Sequence, residues 1–294
     1  MALQDLLDTL GPEIQDPEEE SFLLFSQSIP SHDLGFVDSK ATLLELAIDG
    51  KDLAIHQSPT ILSSNRDGGT TGAVVWKITP LFASWISCSS NLLFRNHVLD
   101  SSSWVIELGC GISGIIGLTM GQYVASYVLT DQIYVSKLLS QNLIENNPQK
   151  ASIKGKKQAA TSKKFASSAS VSTSSRNVNF KILDWETDEV TSSLTDSVVK
   201  DHFDLVIACD CIYNDMLIKP LVQTCIDVCN LGEKNPERRQ TIVIVAQQLR
   251  SDEVFESWLK EFSQSFRVWR MPDEPLIDGL KSDSGFVVHL GVLR

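Results

Sequence analysis

The chain has 294 residues, of which 43% are hydrophobic, and this size supports one large domain or two small ones with a packed core. Its formal net charge of −12 favours a basic protein partner and argues against a nucleic-acid-binding groove. No apolar run is long enough to cross a bilayer, and residues 1–20 contain no lysine or arginine, which excludes a basic targeting peptide. We therefore expect a cytoplasmic or nuclear protein.

The first part of the chain divides into an acidic segment and a predicted hairpin. Residues 1–40 are acidic and show no clear hydrophobic periodicity. Leu43–Ile48 and residues 53–56 are strand-like and are joined by an Asp-Gly pair, which is typical of a tight β-hairpin turn. Residues 80–91 then have helical spacing.

A regular alternation of strands and helices follows and continues to the end of the chain. Strands that alternate with helices of this length predict an α/β fold, with a mainly parallel sheet covered on both faces. The predicted helices are 115–122, 134–146, 218–230 and 252–263. The predicted strands are 103–108, 125–130, 179–183, 203–208, 241–247, 266–269 and 285–292. We interpret residues 41–294 as one domain with a seven-stranded sheet.

Residues 148–177 interrupt this alternation. They are rich in Lys, Ser and Ala, contain no acidic residue and have almost no large apolar side chain, so we predict a disordered basic insert. The insert is either a solvated loop or a basic arm that contacts RNA or an acidic surface.

Residues 104–117 combine an apolar strand, a glycine turn and the start of a helix. Gly109 and Gly111 allow the backbone to approach a ligand, and Gly114 allows the helix to pack closely on the strand. Dinucleotide-binding enzymes share this glycine spacing. Glu107, two positions before the first glycine, makes the segment resemble the first motif of the seven-strand methyltransferases that use S-adenosylmethionine. The alternative is a tight turn without a ligand.

Acidic residues follow the next two predicted strands. Asp131 ends the second strand, about 20 residues after the glycine turn, where a carboxylate accepts hydrogen bonds from two ribose hydroxyls. Asp184 and Trp185 follow the third strand and together could hold an adenine ring by hydrogen bonding and stacking. The alternatives are a helix-capping aspartate and a packed core tryptophan.

Asp210 and Tyr213 follow the fourth strand, which should lie beside the first. A carboxylate and a phenol at this edge can orient an amine and stabilise its cation. The alternative is a capping Asp210 and a buried Tyr213.

The cysteines raise the question of a metal site. Cys209 and Cys211, with Cys225 and Cys229, allow a zinc site, but Cys209 lies in an apolar run and the last two share a helical face. We interpret these thiols as small buried apolar groups and expect no metal. The five histidines show no metal-like spacing.

The segment from Asp210 to Tyr213 matches the Asp/Glu-x-x-Phe/Tyr motif of the family 16 protein lysine methyltransferases. Residues 73–76, Ala-Val-Val-Trp, resemble the Val-Val-Trp segment of the same family. The resemblance runs from about Leu43 to the end of the chain, except in the basic insert. Within the family, the motifs are most similar to those of fungal members that methylate a ribosomal protein.

The resemblance implies a Rossmann-like fold, S-adenosylmethionine as the methyl donor and a basic protein, such as a ribosomal protein, as the substrate. It also implies that Asp210 and Tyr213 are catalytic and face the lysine. Cys110 replaces the more usual alanine, serine or threonine. The residues that should contact the donor are Trp76, Glu107, Gly109, Cys110, Gly111, Asp131, Trp185 and Ala208.

Two other functions remain open from the sequence. A methyltransferase of the same fold acting on RNA or a small molecule would carry Asn/Asp-Pro-Pro-Tyr/Phe after the fourth strand, where Asp-Cys-Ile-Tyr stands. A non-catalytic scaffold could bind a partner through the acidic residues 1–40.

Overall fold

The structure is a computed structural model that describes residues 2–30, 35–64, 69–146, 177–197, 200–235 and 238–294. The predicted basic insert, apart from Asn177, lies outside the described residues.

Two sheets form the β structure of the described residues. The smaller is the predicted hairpin, β1 (Leu43–Ile48) with β2 (Lys51–His56). The larger contains β3 (Trp104–Leu108), β4 (Ser126–Asp131), β5 (Val178–Ile182), β6 (Leu205–Cys209), β7 (Ile242–Gln248), β8 (Phe266–Arg270) and β9 (Phe286–Leu293). Its order is β5-β4-β3-β6-β7-β9-β8, and β9 runs antiparallel to both of its neighbours. The predicted seven strands are confirmed.

Helices cover the sheet, and the alternation within its strands explains why both faces are apolar. In β3, Val105 belongs to one buried apolar cluster and Ile106 to the other, because successive strand residues face opposite sides. The helices are α1 (Ala2–Leu10), α2 (Pro17–Phe25), α3 (Pro59–Leu62), α4 (Ile78–Ile86), α5 (Leu92–Arg95), α6 (Ile115–Met120), α7 (Ser136–Glu145), α8 (Ile218–Asn230) and α9 (Asp252–Ser265). No helix in the described part of the chain is both long and apolar enough to cross a membrane.

The acidic amino-terminal residues contain two helices that the sequence did not indicate. Asp16 caps the amino-terminal end of α2, because its side chain accepts hydrogen bonds from the backbone of the first turn. α1 packs against β8 and α2 against α9, and Leu6 and Leu24 are buried. Periodicity failed for α2 because this helix buries Glu20 while Phe22 is 71% exposed.

The helical prediction for residues 80–91 differs from the structure in its boundaries. α4 begins at Ile78 and ends at Ile86, and α5 begins after Asn91. The Asn91 side chain accepts a hydrogen bond from the Leu93 backbone and donates one to the Trp85 carbonyl. An asparagine that caps a new helix in this way separates the two helices.

The hairpin is attached to α7 by two asparagine side chains. Asn142 accepts a hydrogen bond from the His56 backbone N–H, and Asn146 accepts one from Ala54, each at 2.8 Å. Both amides also donate back to carbonyls of the same strand. These contacts fix the hairpin against the carboxyl-terminal half of α7.

Candidate active site

A cavity open to solvent lies at the carboxyl edge of the large sheet, with about 870 Å³ of empty space that includes solvent at its mouth. Its walls come from residues at the ends of β3, β4 and β6 and after β3, β4, β5 and β6, together with residues 69–79 between α3 and the start of α4. The connection after β3 leads to β4 on one side of the central pair, and the connection after β6 leads to β7 on the other side. Ligands of open α/β sheets bind in the crevice where the strand order reverses in this way.

The structure brings together all but one of the predicted site residues. Ala208 is fully buried within β6, and its neighbour Cys209 lines the cavity instead. The predicted residues that line the cavity are Trp76, Glu107, Gly109, Cys110, Gly111, Asp131, Trp185, Asp210 and Tyr213.

The glycine turn after β3 requires glycine for both conformation and space. Gly109 has φ +71° and Gly111 has φ +60°, in the left-handed region that side chains disfavour. A Cβ atom at Gly109 would lie 2.8 Å from the Cys211 sulfur and 3.1 Å from the Trp185 ring. The turn therefore exposes backbone without a side chain to the cavity, between Cys211 and Trp185.

Asp131 connects the end of β4 to this turn. Its carboxylate accepts hydrogen bonds from the backbone N–H of Gly111 at 2.8 Å and of Gln132 at 2.7 Å. Since a carboxylate has about four acceptor sites, it can hold the turn and accept ribose hydroxyls together.

Residues 70–73, which lie between α3 and α4 in the chain, pack against the glycine turn. The Gly72 carbonyl accepts a hydrogen bond from the Ile112 backbone at 2.9 Å, and the Gly72 N–H donates to the Tyr134 hydroxyl at 3.0 Å. Tyr134 also lines the cavity, and sequence reasoning missed it. Its role depends on a contact between segments more than 60 positions apart, which no local pattern indicates.

The side of the cavity beside β5 has features that fit an adenine base. The Trp185 Nε1 atom is buried and has no hydrogen-bond partner among the described residues. A buried donor of this kind is costly unless a ligand or water accepts its proton. Next to it, the Asp184 carboxylate accepts a hydrogen bond from the Gln132 side chain at 3.0 Å. An aromatic ring with a neighbouring acceptor and an unused donor fits a purine.

Glu107 is buried at the end of β3 and accepts a hydrogen bond of 2.6 Å from the Tyr127 hydroxyl. Burial raises the pKa of this carboxyl to about 7, and the nearby Asp131 charge adds to the increase, while the bond from Tyr127 opposes it. Glu107 therefore changes its charge near neutral pH in the folded protein.

We expect Glu107→Gln to remove a pH dependence of the free energy of unfolding. The usual pKa of 4.5 applies to the unfolded chain, whereas the folded carboxyl keeps its proton up to about pH 7. This raised pKa stabilises the wild-type fold fully below pH 4.5, and the contribution is lost as the pH rises to about 7. The loss amounts to about 3 kcal/mol and should be absent in the variant.

Urea unfolding at pH 5 and pH 8 measures this difference. Glu45→Gln, at an exposed position of β1, is the matched control and should behave as the wild type. Equal pH dependence in Glu107→Gln and wild type would show that Glu107 titrates normally in the folded chain.

The two predicted catalytic residues occupy different surroundings. The Asp210 side chain is only 2% exposed, and Arg250 binds both of its oxygens at 2.7 Å. Tyr213 is 41% exposed as a whole residue at the mouth of the cavity, where its hydroxyl accepts a hydrogen bond from Thr71 at 3.0 Å. Tyr213 is therefore accessible to a substrate, whereas the charge of Asp210 is already balanced.

The cysteines at the site are neutral thiols. Burial raises the pKa values of Cys110, Cys209 and Cys211 well above the ordinary value, so none is a thiolate near neutral pH. Cys225 and Cys229 are buried on α8, in agreement with their interpretation as apolar groups. Within the described ranges, no group of three or more His, Cys, Asp or Glu side chains is arranged to hold a metal ion.

Several known proteins are similar to this chain in sequence. A protein of Schizosaccharomyces pombe named diaminohydroxyphosphoribosylamino-pyrimidine deaminase is 29% identical over 256 residues, which cover 87% of this chain and 53% of that protein. The chain thus spans about half the length of that relative. Ribosomal lysine N-methyltransferase 5 of Vanderwaltozyma polyspora is 28% identical, covering 83% of this chain and 86% of the relative. Its namesake in Saccharomyces cerevisiae is also 28% identical, with 78% and 76% covered.

Solved structures of methyltransferases match at a lower level. The N-methyltransferase NodS of Bradyrhizobium japonicum in complex with S-adenosyl-L-homocysteine has a TM-score of 0.39 and 9% identity, covering 70% of this chain and 89% of that chain. A putative methyltransferase from Streptococcus mutans has a TM-score of 0.46 and 8% identity, with 86% and 56% covered.

The sequence profile of one family matches most of the chain. The family is described as lysine methyltransferase, and the matched residues are 55–161 and 162–262. This match confirms the resemblance seen in the motifs after β3 and β6. The chain belongs to the lysine methyltransferase family.

Proposed function

We propose that this chain transfers a methyl group from S-adenosylmethionine to a lysine of a ribosomal protein in the cytoplasm. One observation carries the proposal. The glycine turn with Asp131, which suits a nucleoside, and the accessible Tyr213 hydroxyl line the same cavity. A donor and an amine bound to these two parts would meet inside it.

The residues of the cavity fit the donor in three places. The Asp131 carboxylate would bind the ribose, and the bare backbone of Gly109 and Gly111 would allow the donor to approach closely. Trp185 would stack on the adenine, and its Nε1–H, which lies in the ring plane and has no partner among the described residues, would donate to an ordered water. Trp76, Glu107 and Cys110 line the rest of the donor side.

S-adenosylmethionine, when bound, supplies a methyl group already activated by a positive sulfur. The chain must then bring a neutral amine to about 3 Å from that carbon, in line with the sulfur. A free lysine has a pKa of about 10.4, so a buried site that disfavours the cation promotes the reactive form. Tyr213 would orient the amine by a hydrogen bond. Asp210 would help to shape this wall, with its charge balanced by Arg250.

The ribosomal substrate is supported by the relatives and by charge. Two of the relatives above are named ribosomal lysine N-methyltransferase 5, and each is matched over most of its length. The chain itself carries a net charge of −12, which suits a basic protein.

Methylation of ribosomes in vitro tests the proposal. Ribosomal subunits would be purified from a Saccharomyces cerevisiae strain that lacks its ribosomal lysine N-methyltransferase 5 and incubated with the chain and labelled donor. Mass spectrometry should locate the label on a lysine of one ribosomal protein. Label on arginine or on ribosomal RNA, or no label above a heat-inactivated control, would contradict the proposed function.

We expect Asp131→Asn to weaken donor binding. The substitution removes the charge that the ribose hydroxyls and the turn share, which should cost about 1–3 kcal/mol. Calorimetric titration with S-adenosyl-L-homocysteine measures the loss. Asp100→Asn is a matched control, because it breaks an ion pair with Arg239 before β3, at the opposite end of the strand from the glycine turn. Unchanged affinity in Asp131→Asn would remove this residue from the donor site.

A further inference from the structure

Arg250 connects two parts of the cavity wall, Asp210 and Trp76, and was not indicated by any motif. It follows β7, at the same edge of the sheet as the glycine turn. Its two terminal nitrogens each bind one oxygen of Asp210 at 2.7 Å, and its guanidinium carbon lies 5.0 Å from the centre of the Trp76 ring. Such a planar fork can bind a carboxylate and stack on an aromatic ring at once, which lysine cannot do.

The chain makes room for this fork. Gly35 has φ +87°, and a Cβ atom there would lie 2.8 Å from a terminal nitrogen of Arg250. The adjacent Phe36 ring packs at a tilt of 37° against the Trp76 ring with ring centres 4.6 Å apart, and the two residues form a β-bridge. The segment before the hairpin therefore packs around the guanidinium and holds it against Trp76.

Asp210 depends on this partner. It adopts φ +60°, an uncommon conformation for a residue other than glycine, and its side chain is almost fully buried. Its Oδ1 atom also accepts a weak hydrogen bond of 3.3 Å from the Gln248 backbone. A buried carboxylate without a paired cation is strongly unfavourable, so Arg250 keeps the Asp210 side chain in place.

We propose that Arg250 is a positioning residue for methyl transfer. It holds the Asp210 carboxylate away from the target amine and fixes the Trp76 wall. The inference rests on the proposed function, because it concerns the amine that would receive the methyl group.

The reason lies in the protonation of lysine. A free carboxylate beside the amine would stabilise the ammonium form, which has no lone pair to attack the methyl carbon. A carboxylate held by a guanidinium exerts much less of this effect. In the described part of the chain, the other titratable groups next to Asp210 are Cys209, Cys211 and Tyr213, and burial raises the pKa of each, so they remain neutral. Asp131 also lies near Tyr213.

A double-mutant cycle with pH profiles tests the proposal. The ribosomal subunits described above serve as the probe at saturating concentration, and kcat, which reports ionisations in the bound complex, is measured from pH 6 to pH 10 for wild type, Arg250→Gln, Asp210→Asn and the double variant. Arg250→Gln should lower kcat at least tenfold and move the ascending limb of the profile upward by about one pH unit or more. In the double variant the limb should return to its wild-type position, because the freed carboxylate is gone. Arg250→Lys keeps the positive charge and should leave the limb near that position.

Two controls separate this role from a general loss of structure. Arg239→Gln breaks another arginine–aspartate pair, with Asp100, and should retain the wild-type profile. Thermal unfolding, monitored by circular dichroism, identifies the variants that fold. The inference would be overturned if the ascending limb of the pH profile did not move in folded Arg250→Gln. It would also be overturned if the limb stayed displaced in the double variant. Wild-type enzyme that labels no lysine would instead contradict the proposed function.

Discussion

Gly109→Arg is expected to abolish binding of S-adenosylmethionine while the chain remains folded. At φ +71°, a side chain costs roughly 1–2 kcal/mol in backbone strain, which a domain of this size tolerates. The new Cβ atom would press on Cys211 and on the Trp185 ring, and the arginine beyond it would enter the cavity. The arginine side chain would then fill the space between the glycine turn and Trp185, where the nucleoside of the donor would lie.

A matched glycine separates strain from loss of space. Gly50, in the hairpin turn, has φ +70°, and a Cβ atom there would meet nothing within 4 Å. Gly50→Arg should therefore carry the same backbone strain but bind S-adenosyl-L-homocysteine normally in calorimetric titration. If Gly109→Arg bound the ligand as tightly as Gly50→Arg, the glycine turn would not be the donor site.

The sequence predicted the parts of the fold whose signals are local. The strand, turn and helix around Gly109 lie within 14 residues, and Asp131 ends the next strand, so position along the chain was enough to place both at one edge. The sheet followed from apolar runs at regular spacing, because a buried parallel strand is marked by its own residues. The motif after β6 was recognised in the same way.

Contacts between distant segments were beyond this reasoning. Arg250 pairs with a residue 40 positions away, and Tyr134 with Gly72 over 62 positions. A residue after β7 could have been suspected, since β7 adjoins β6 and parallel strands end at one edge. Nothing in the pattern showed that this residue would balance the charge of Asp210.

Ala208 illustrates a limit of transferring positions from a family motif. The alternation of β6 places Val206 and Ala208 in one apolar cluster and Cys209 in the other. A shift of one residue reverses the face that a side chain occupies. A motif identifies the residues at the end of a strand. Which of the last two side chains lines the cavity depends on the face of the sheet that each of them occupies.

The second large effect is expected for Tyr213→Phe, which should lower turnover roughly 10- to 100-fold and leave donor binding unchanged. The phenol is exposed at the mouth of the cavity, and its oxygen already accepts a hydrogen bond from Thr71. With Thr71 donating to one lone pair of that oxygen, the other can accept a hydrogen bond from an N–H of the neutral amine, which leaves the amine lone pair free to attack the methyl carbon. Loss of one such oriented bond accounts for the expected factor.

Tyr123→Phe is the matched control for this prediction. Its hydroxyl donates to Asp49 at 3.1 Å near the hairpin turn, so it removes a similar hydrogen bond away from the cavity. Single-turnover methylation of the ribosomal subunits should be slow only in Tyr213→Phe, and titration with S-adenosyl-L-homocysteine should be the same in both variants. Equal turnover in the two would mean that the Tyr213 hydroxyl does not touch the amine, and its bond to Thr71 would then serve only to attach residues 69–73 to the segment after β6. A loss of donor affinity in Tyr213→Phe would instead move this residue to the donor side of the cavity.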